Sequence, residues 1–169
     1  MCFILSLLVI SFSGLAHNHG SDAESSMADI INLEGAWARE TFSMAKSGAA
    51  YLNLNNPSGN AIHLVSASVD ASVAAKVEIH TTKMHDGMMQ MQELEQGLVV
   101  NAGESVMLQP GGIHIMLMGL ESPLVAGQSF DLSLSFSDGS VLVTNVSVKN
   151  MSNKNADAKD EHKHHMHHH

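Results

Sequence analysis

Cysteine is almost absent. The 169-residue sequence holds one, Cys2, inside the apolar opening stretch MCFILSLLVISFSGLA. That stretch ends in small residues at Gly14 and Ala16 and reads as a secretory signal over residues 1–16, although it lacks a basic lead. It is too short for a good transmembrane span, and no stable membrane insertion is expected. Cys2 stands at the start of the apolar run rather than at its end, which speaks against a lipid anchor at that position. Cleavage after Ala16 leaves a chain without a thiol, so a disulfide framework, a thiolate ligand and a thiolate nucleophile are all excluded. Basic residues are also few, with 8 Lys and Arg against 17 Asp and Glu, a net charge of −9 with His neutral. No basic patch is available to neutralise phosphates, which excludes nucleic acid as a partner and argues against an anionic membrane surface. Aromatic residues are scarce as well: 5 Phe, 1 Tyr and 1 Trp.

Against these shortages stand 12 His and 12 Met. Residues 17–30 form a polar leader without periodicity, expected to be flexible, and the ordered region is expected to run over residues 31–150. Within it the alternation and turn signals predict short strands at Glu34–Arg39, Ala49–Asn55, His63–Val69, Lys76–His80, Gly87–Gln92, Leu98–Val100, Ser105–Gln109, Ile113–Met118, Ser129–Phe136 and Ser140–Val148. The segments NNPSGN, HDG, NAG, QPGG and SDG separate them. DASVAAKVE is the one stretch that could make a helical turn. Val141, Val143, Val146 and Val148 suggest a last strand with an irregularity near Asn145. Short strands at this spacing point to an all-β sandwich or barrel.

In PGGIHIMLMG the alternation sends Ile113, Ile115 and Leu117 to one face and His114, Met116 and Met118 to the other. In VEIHTTKMHDGMMQMQ, His80 ends a strand on its polar face and Met91 lies beyond a turn at Asp86-Gly87. A strand–turn–strand could bring His80 and Met91 together, and with His114 and Met116 the set is two imidazoles and two thioethers. Thioether sulfur is soft and neutral, so such a set suits tetrahedral Cu(I) or Ag(I) better than a hard cation. Zinc would more usually recruit Cys, His or carboxylates, and a blue-copper site needs a thiolate. The plainer reading stays open beside this one: Met is a common core filler, as expected of Met107 and Met118, and a lone strand His is more often a surface or satisfied residue. His63 and His85 are read as surface residues, with Met84, Met88 and Met89 as auxiliary sulfurs.

After Met151 the chain loses its core-forming residues, and residues 151–169 are expected to be disordered without a ligand. The end, HKHHMHHH, gathers His162, His164, His165, Met166, His167, His168 and His169. Read as native rather than as a purification tag, it is a secondary metal-binding tail able to hold Cu(II), Ni(II) or Zn(II).

Three blocks and one spacing then resemble the periplasmic copper chaperone PCu(A)C family over residues 31–149. The blocks are AWARET at 36–41, AAYLNLNN at 49–56 and PGGIHIMLMGLESPLVAGQSFDLSLSF at 110–136. The spacing is His80, ten residues, Met91, twenty-two residues, then His114-x-Met116. The second interval is one residue longer than the family's usual pattern, and the extra residue is placed between Glu93 and Val106. The neighbour of His80, which is often Met in the family, is Thr81 here. The resemblance implies a cupredoxin-like Greek-key β-sandwich that binds Cu(I) near its surface through His80, Met91, His114 and Met116. It implies a periplasmic carrier that delivers copper to the CuA subunit of cytochrome c oxidase, often beside a Sco-type protein. It also implies a second copper-binding region in the tail.

The expected function is therefore copper binding and transfer rather than catalysis. A storage or resistance protein that buffers copper without a dedicated acceptor is the alternative. No Ser or Cys nucleophile motif is found. His17 would become N-terminal after cleavage at Ala16, but its leader offers no support for a His-brace enzyme.

Overall fold

A computed structural model of the chain describes residues 31–150. The signal, the leader, Cys2 and the histidine tail lie outside the described residues. Within them the regular structure is ten strands: β1 Asn32–Arg39, β2 Ser47–Asn55, β3 Ile62–Val69, β4 Ala74–His85, β5 Met88–Glu93, β6 Leu98–Val100, β7 Ser105–Leu108, β8 His114–Leu120, β9 Ser129–Phe136 and β10 Val141–Lys149. No described helix is long and apolar enough to cross a membrane.

The strands pair in the order β5-β4-β8-β2-β1-β10-β9-β3-β6, with β7 joined to the far end of β2. All pairings are antiparallel except β1 with β10. The ladder folds back on itself, because Ile79, Ile115 and Leu117 from its first half share one buried cluster with Leu132, Leu134 and Val146 from its second. Burying these aliphatic side chains between two layers supplies the main driving force for the sandwich, at about 25 cal/mol per Å² of apolar surface removed from water.

One buried polar side chain holds the loops that close this core. Asn56 is fully buried. Its Nδ2 group donates to the carbonyls of Asn60, Val100 and Asn101 at 2.8, 3.1 and 3.0 Å, while its Oδ1 accepts from Ser58 N and Oγ at 3.2 and 2.6 Å. The β4–β5 hairpin turns at Asp86-Gly87, both with positive φ, 49° and 79°. That is the backbone of a two-residue type I′ turn, which Asp-Gly favours because its twist matches that of the flanking strands.

Several expectations are corrected. β4 continues five residues past His80, through half-buried Thr81 and Thr82 and exposed Lys83, Met84 and His85, to form a hairpin that projects beyond the core. DASVAAKVE does make one helical turn, with Val73 N and Ala74 N donating to the Asp70 carbonyl, but the strand after it starts at Ala74 rather than Lys76. β10 pairs with β9 without a break, Asn145 sitting opposite Asp131 and donating to its carboxylate at 2.9 Å. Its inward side is Leu142, Thr144, Val146 and Val148, so Val141 and Val143 face solvent. Met107 is no core filler either: it lies on β7 opposite Asn53 and is 59 % exposed.

Candidate metal centre

β8 lies between β4 and β2, and the β4–β8 register decides what meets on its polar face. His80 is directly opposite His114, and Glu78 is opposite Met116. Residues directly opposite across an antiparallel pair share a face, so His80, Glu78, His114 and Met116 all project to one side. Ile79 and Ile115, one step along, turn to the core. The imidazole rings of His80 and His114 lie 6.0 Å apart, tilted by 45°.

The β4–β5 hairpin extends the same face. Its register sets Glu93 opposite His80, Met91 opposite Thr82 and Met89 opposite Met84. Met91 is thus not paired with His80 but stands one diagonal step from it, at the solvent side. All four residues of the expected ligand set share this face. His114 is the most enclosed at 5 % exposure, Met116 is half-buried and Met91 is 62 % exposed.

Each imidazole has one nitrogen committed and one bare. His114 Nδ1 donates to the carbonyl of Gly112 at 3.0 Å, so that nitrogen carries the proton and Nε2 keeps its lone pair. His80 Nε2 donates to Glu78 Oε2 at 2.7 Å, which puts its proton there and leaves Nδ1 as the basic nitrogen. That Nδ1 is the only buried side-chain nitrogen or oxygen among the described residues without a hydrogen-bond partner. A buried acceptor left bare costs free energy of roughly 1–3 kcal/mol unless something binds it, and an imidazole nitrogen so placed is a ready metal ligand.

Glu78 is a residue the sequence reading missed. It sits two residues before His80 on the same face, and the alternation V-E-I-H already carried that signal. It is buried, paired with Lys76 on one oxygen and His80 on the other. The hydrogen bonds from Lys76 and then His80 hold its carboxyl below the usual Glu range. A carboxylate behind a ligating histidine fixes the tautomer and the ring orientation. Glu93 was missed as well; with Glu78 and His80 it completes a group whose donor atoms lie within 4.8 Å of one another. Both Glu78 oxygens are already engaged, so this group leaves only Glu93 and the bare His80 nitrogen free.

The two histidines read as surface residues do not join the site. His63 donates from Nε2 to the Gln96 carbonyl, and His85 is exposed on the back face of the hairpin opposite Met88. The tail residues His162, His164, His165, Met166, His167, His168 and His169 lie outside the described residues.

The fold and this face define a β-sandwich carrying a histidine–methionine donor set at one sheet edge. The sequence profile of the family described as "Putative lipoprotein LpqE-like" matches residues 31–148, and the chain belongs to that PCu(A)C-related family. Among curated sequences it is 34 % identical over 159 residues to "Putative lipoprotein Lxx21020" of Leifsonia xyli, covering 92 % of each chain. It is 29 % identical over 131 residues to the uncharacterized protein RP573 of Rickettsia prowazekii, covering 72 % of this chain and 71 % of that one. Among solved structures, Cu(I)-DR1885 from Deinococcus radiodurans superposes with a TM-score of 0.57 at 28 % identity, over 77 % of this chain and 85 % of that one. The apo PCuAC domain of PmoF1 superposes with a TM-score of 0.59 at 17 % identity, over 72 % and 94 %, and shows the shared fold. The cupredoxin-like sandwich expected from the motifs is the fold observed.

Proposed function

We propose that this protein is an exported copper carrier that binds one Cu(I) through His80, Met91, His114 and Met116 and passes it to an acceptor by ligand exchange. One observation carries the reading. Two imidazoles with one bare nitrogen each meet across β4 and β8, on a face that also presents two thioethers. Four neutral donors, two of them soft, suit a monovalent soft ion and suit Zn(II) or Ca(II) poorly. The relative DR1885 has been solved in a Cu(I) form.

The residues divide the work. Gly112 and Glu78 hold the rings so that neither must shed a proton or turn before copper arrives. Enclosed His114 and half-buried Met116 anchor the ion from the sheet. Exposed Met91 is the ligand that leaves first, opening a coordination position to an incoming donor before the histidines release, so copper is never free. No nucleophile, general base or redox partner is required, and the protein acts as a carrier rather than an enzyme. An acceptor with a CuA centre, such as the oxidase subunit, and a Sco-type partner fit this role in the periplasm. The histidine tail, residues 162–169, serves as a separate collector that raises the local copper concentration, including Cu(II).

The test is a competitive Cu(I) titration of the full chain, of a chain ending at residue 151, and of His114→Ala/Met116→Ala in each. One tight equivalent that survives tail removal and disappears in the double variant is expected. Loss of all tight Cu(I) binding with the tail would place the site there and overturn the assignment. Transfer of the bound ion to an isolated CuA domain then separates a chaperone from a storage protein.

A further inference from the structure

We infer that Met84, Met89 and Met91 form a second soft-metal site, an all-thioether capture site on the β4–β5 hairpin that shares Met91 with the histidine site. Its role as an entry point rests on the copper-carrier reading; its existence as a Cu(I) or Ag(I) site does not.

The hairpin register places the three side chains. Met84 is directly opposite Met89, and the next pair on the same face is Thr82 with Met91. Directly opposed side chains have Cβ atoms about 4.5–5.5 Å apart, and a diagonal neighbour is reached at about 7–8 Å. Three rotatable bonds let a methionine sulfur cover that span. The next pair inward is His80 with Glu93, so Met91 stands between the Met84–Met89 pair and the His80–His114 pair. Met88 and His85 pair on the opposite face and take no part.

The exposure of these residues argues for a purpose beyond packing. Met84 is 71 % exposed and Met89 is 65 % exposed, on a hairpin that projects past the core. Neither belongs to the buried cluster nor is packed against it. Methionine offers a strand no particular propensity, so apolar side chains held in water here bring no folding advantage. What three converging thioethers do offer is affinity for a soft monovalent ion and indifference to Zn(II), Ca(II) and Mg(II). Without an imidazole the site binds more weakly than the histidine set, which is what an entry point requires.

The handover balances without a redox change or a proton. Copper enters as Cu(I) on the three sulfurs. The bonds to Met84 and Met89 break as bonds form to His80 Nδ1, His114 Nε2 and the Met116 sulfur, while the Met91 bond is kept. Both nitrogens already carry a free lone pair.

The experiment uses the full chain with ¹³C-labelled methionine methyl groups, titrated with Ag(I) as a redox-inert stand-in for Cu(I). Resonances are assigned from single Met→Leu variants. In the His114→Ala/Met116→Ala background, the Met84, Met89 and Met91 methyls should shift together, and Met84→Leu/Met89→Leu should cancel the Met91 shift. With the histidine site intact, Met84→Leu/Met89→Leu should keep its Cu(I) affinity within twofold and slow Cu(I) uptake from a chelator at least tenfold. Met84 and Met89 methyls that stay unmoved at tenfold Ag(I) excess, or that titrate separately from Met91, overturn the inference even if the histidine site binds. Joint movement of the three methyls in the wild-type chain, together with no Cu(I) bound by its unmutated histidine site, would uphold this site and defeat the carrier assignment.

Discussion

His80 and His114 face each other across β4 and β8 with ring centroids 6.0 Å apart, each holding one nitrogen in a hydrogen bond that leaves the other bare. If copper binds as proposed, both rings are already oriented for it and little must be reorganised on binding. Removing either ring should lower Cu(I) affinity by more than about 100-fold, because loss of a ligand outweighs loss of an outer partner, itself worth about 10–100-fold. A Cu(I) competition assay on His80→Ala and His114→Ala checks this; wild-type affinity in both would dissolve the site.

Glu78 touches the proposed copper site only through His80, whose Nε2 donates to its Oε2. Glu78→Gln keeps an acceptor for the ring proton but loses the charge, and should weaken Cu(I) binding by about tenfold. Glu78→Ala should approach the hundredfold end of the same range. Equal affinities for wild type and both variants would reduce Glu78 to a structural partner of Lys76.

Asn56 carries the loops at the far end of the sandwich. Asn56→Ala strands the buried Val100 carbonyl and the loop carbonyls that its amide caps. The expected loss is at least about 2 kcal/mol, since each buried unsatisfied group costs roughly 1–3 kcal/mol. A urea melt should show a lower midpoint at an unchanged slope. A midpoint within error of wild type would mean that water replaces the amide.

Gly97 and Gly87 both have positive φ, 78° and 79°, but their surroundings differ. A Cβ on Gly97 would lie 2.2 Å from the Leu64 carbonyl oxygen, whereas one on Gly87 meets nothing within 4 Å. Gly87→Ala should therefore cost only the left-handed backbone penalty, about 1–2 kcal/mol. Gly97→Ala should cost clearly more, because backbone rather than a flexible side chain must move. Equal melting temperatures for the two variants would contradict the steric argument.

Two turn carboxylates set an acid dependence. Asp70 accepts from Ser72 Oγ and N, and Asp138 accepts from Ser140 Oγ and N. These bonds lower both carboxyl pKa values below the usual Asp range. At acid pH the unfolded chain then binds more protons than the folded one, so stability rises with pH there. The contribution is present in full above about pH 4, near the unfolded Asp value, and is lost as pH falls through the folded values. Urea midpoints between pH 2 and 6 should fall on acidification, less steeply in Asp70→Asn/Asp138→Asn. Superimposable profiles would remove these turns from the account.

Most strands were legible because their signals are local. Ser129–Phe136 alternates cleanly and ends at a Ser-Asp-Gly turn, and β9 has those bounds. The outer half of β4 was not legible: Thr81–His85 buries little, so no apolar alternation marks it as strand. In β10, Val141 and Val143 misled because valine suits a strand on either face, and only pairing with β9 decided which side met the core. Met107 misled for a related reason, since an apolar side chain on a short strand paired only with β2 need not be buried.

The sequence by itself determined the β class, the turn positions, the absence of cysteine from residues 31–150 and the supply of histidine and methionine at alternating positions. These follow from side-chain chemistry and from periodicity over a few residues. Only the tertiary structure decided that His80 meets His114, that Met91 stands a step outward beside Met84 and Met89, and that Asn56 lies in the core. Those relationships depend on strand register and on contacts between residues far apart in the sequence, up to 45 residues in the Asn56–Asn101 bond. A slip of one residue would send every side chain to the other face, and the fit of Ile79, Ile115 and Leu117 into the shared core is what prevents it.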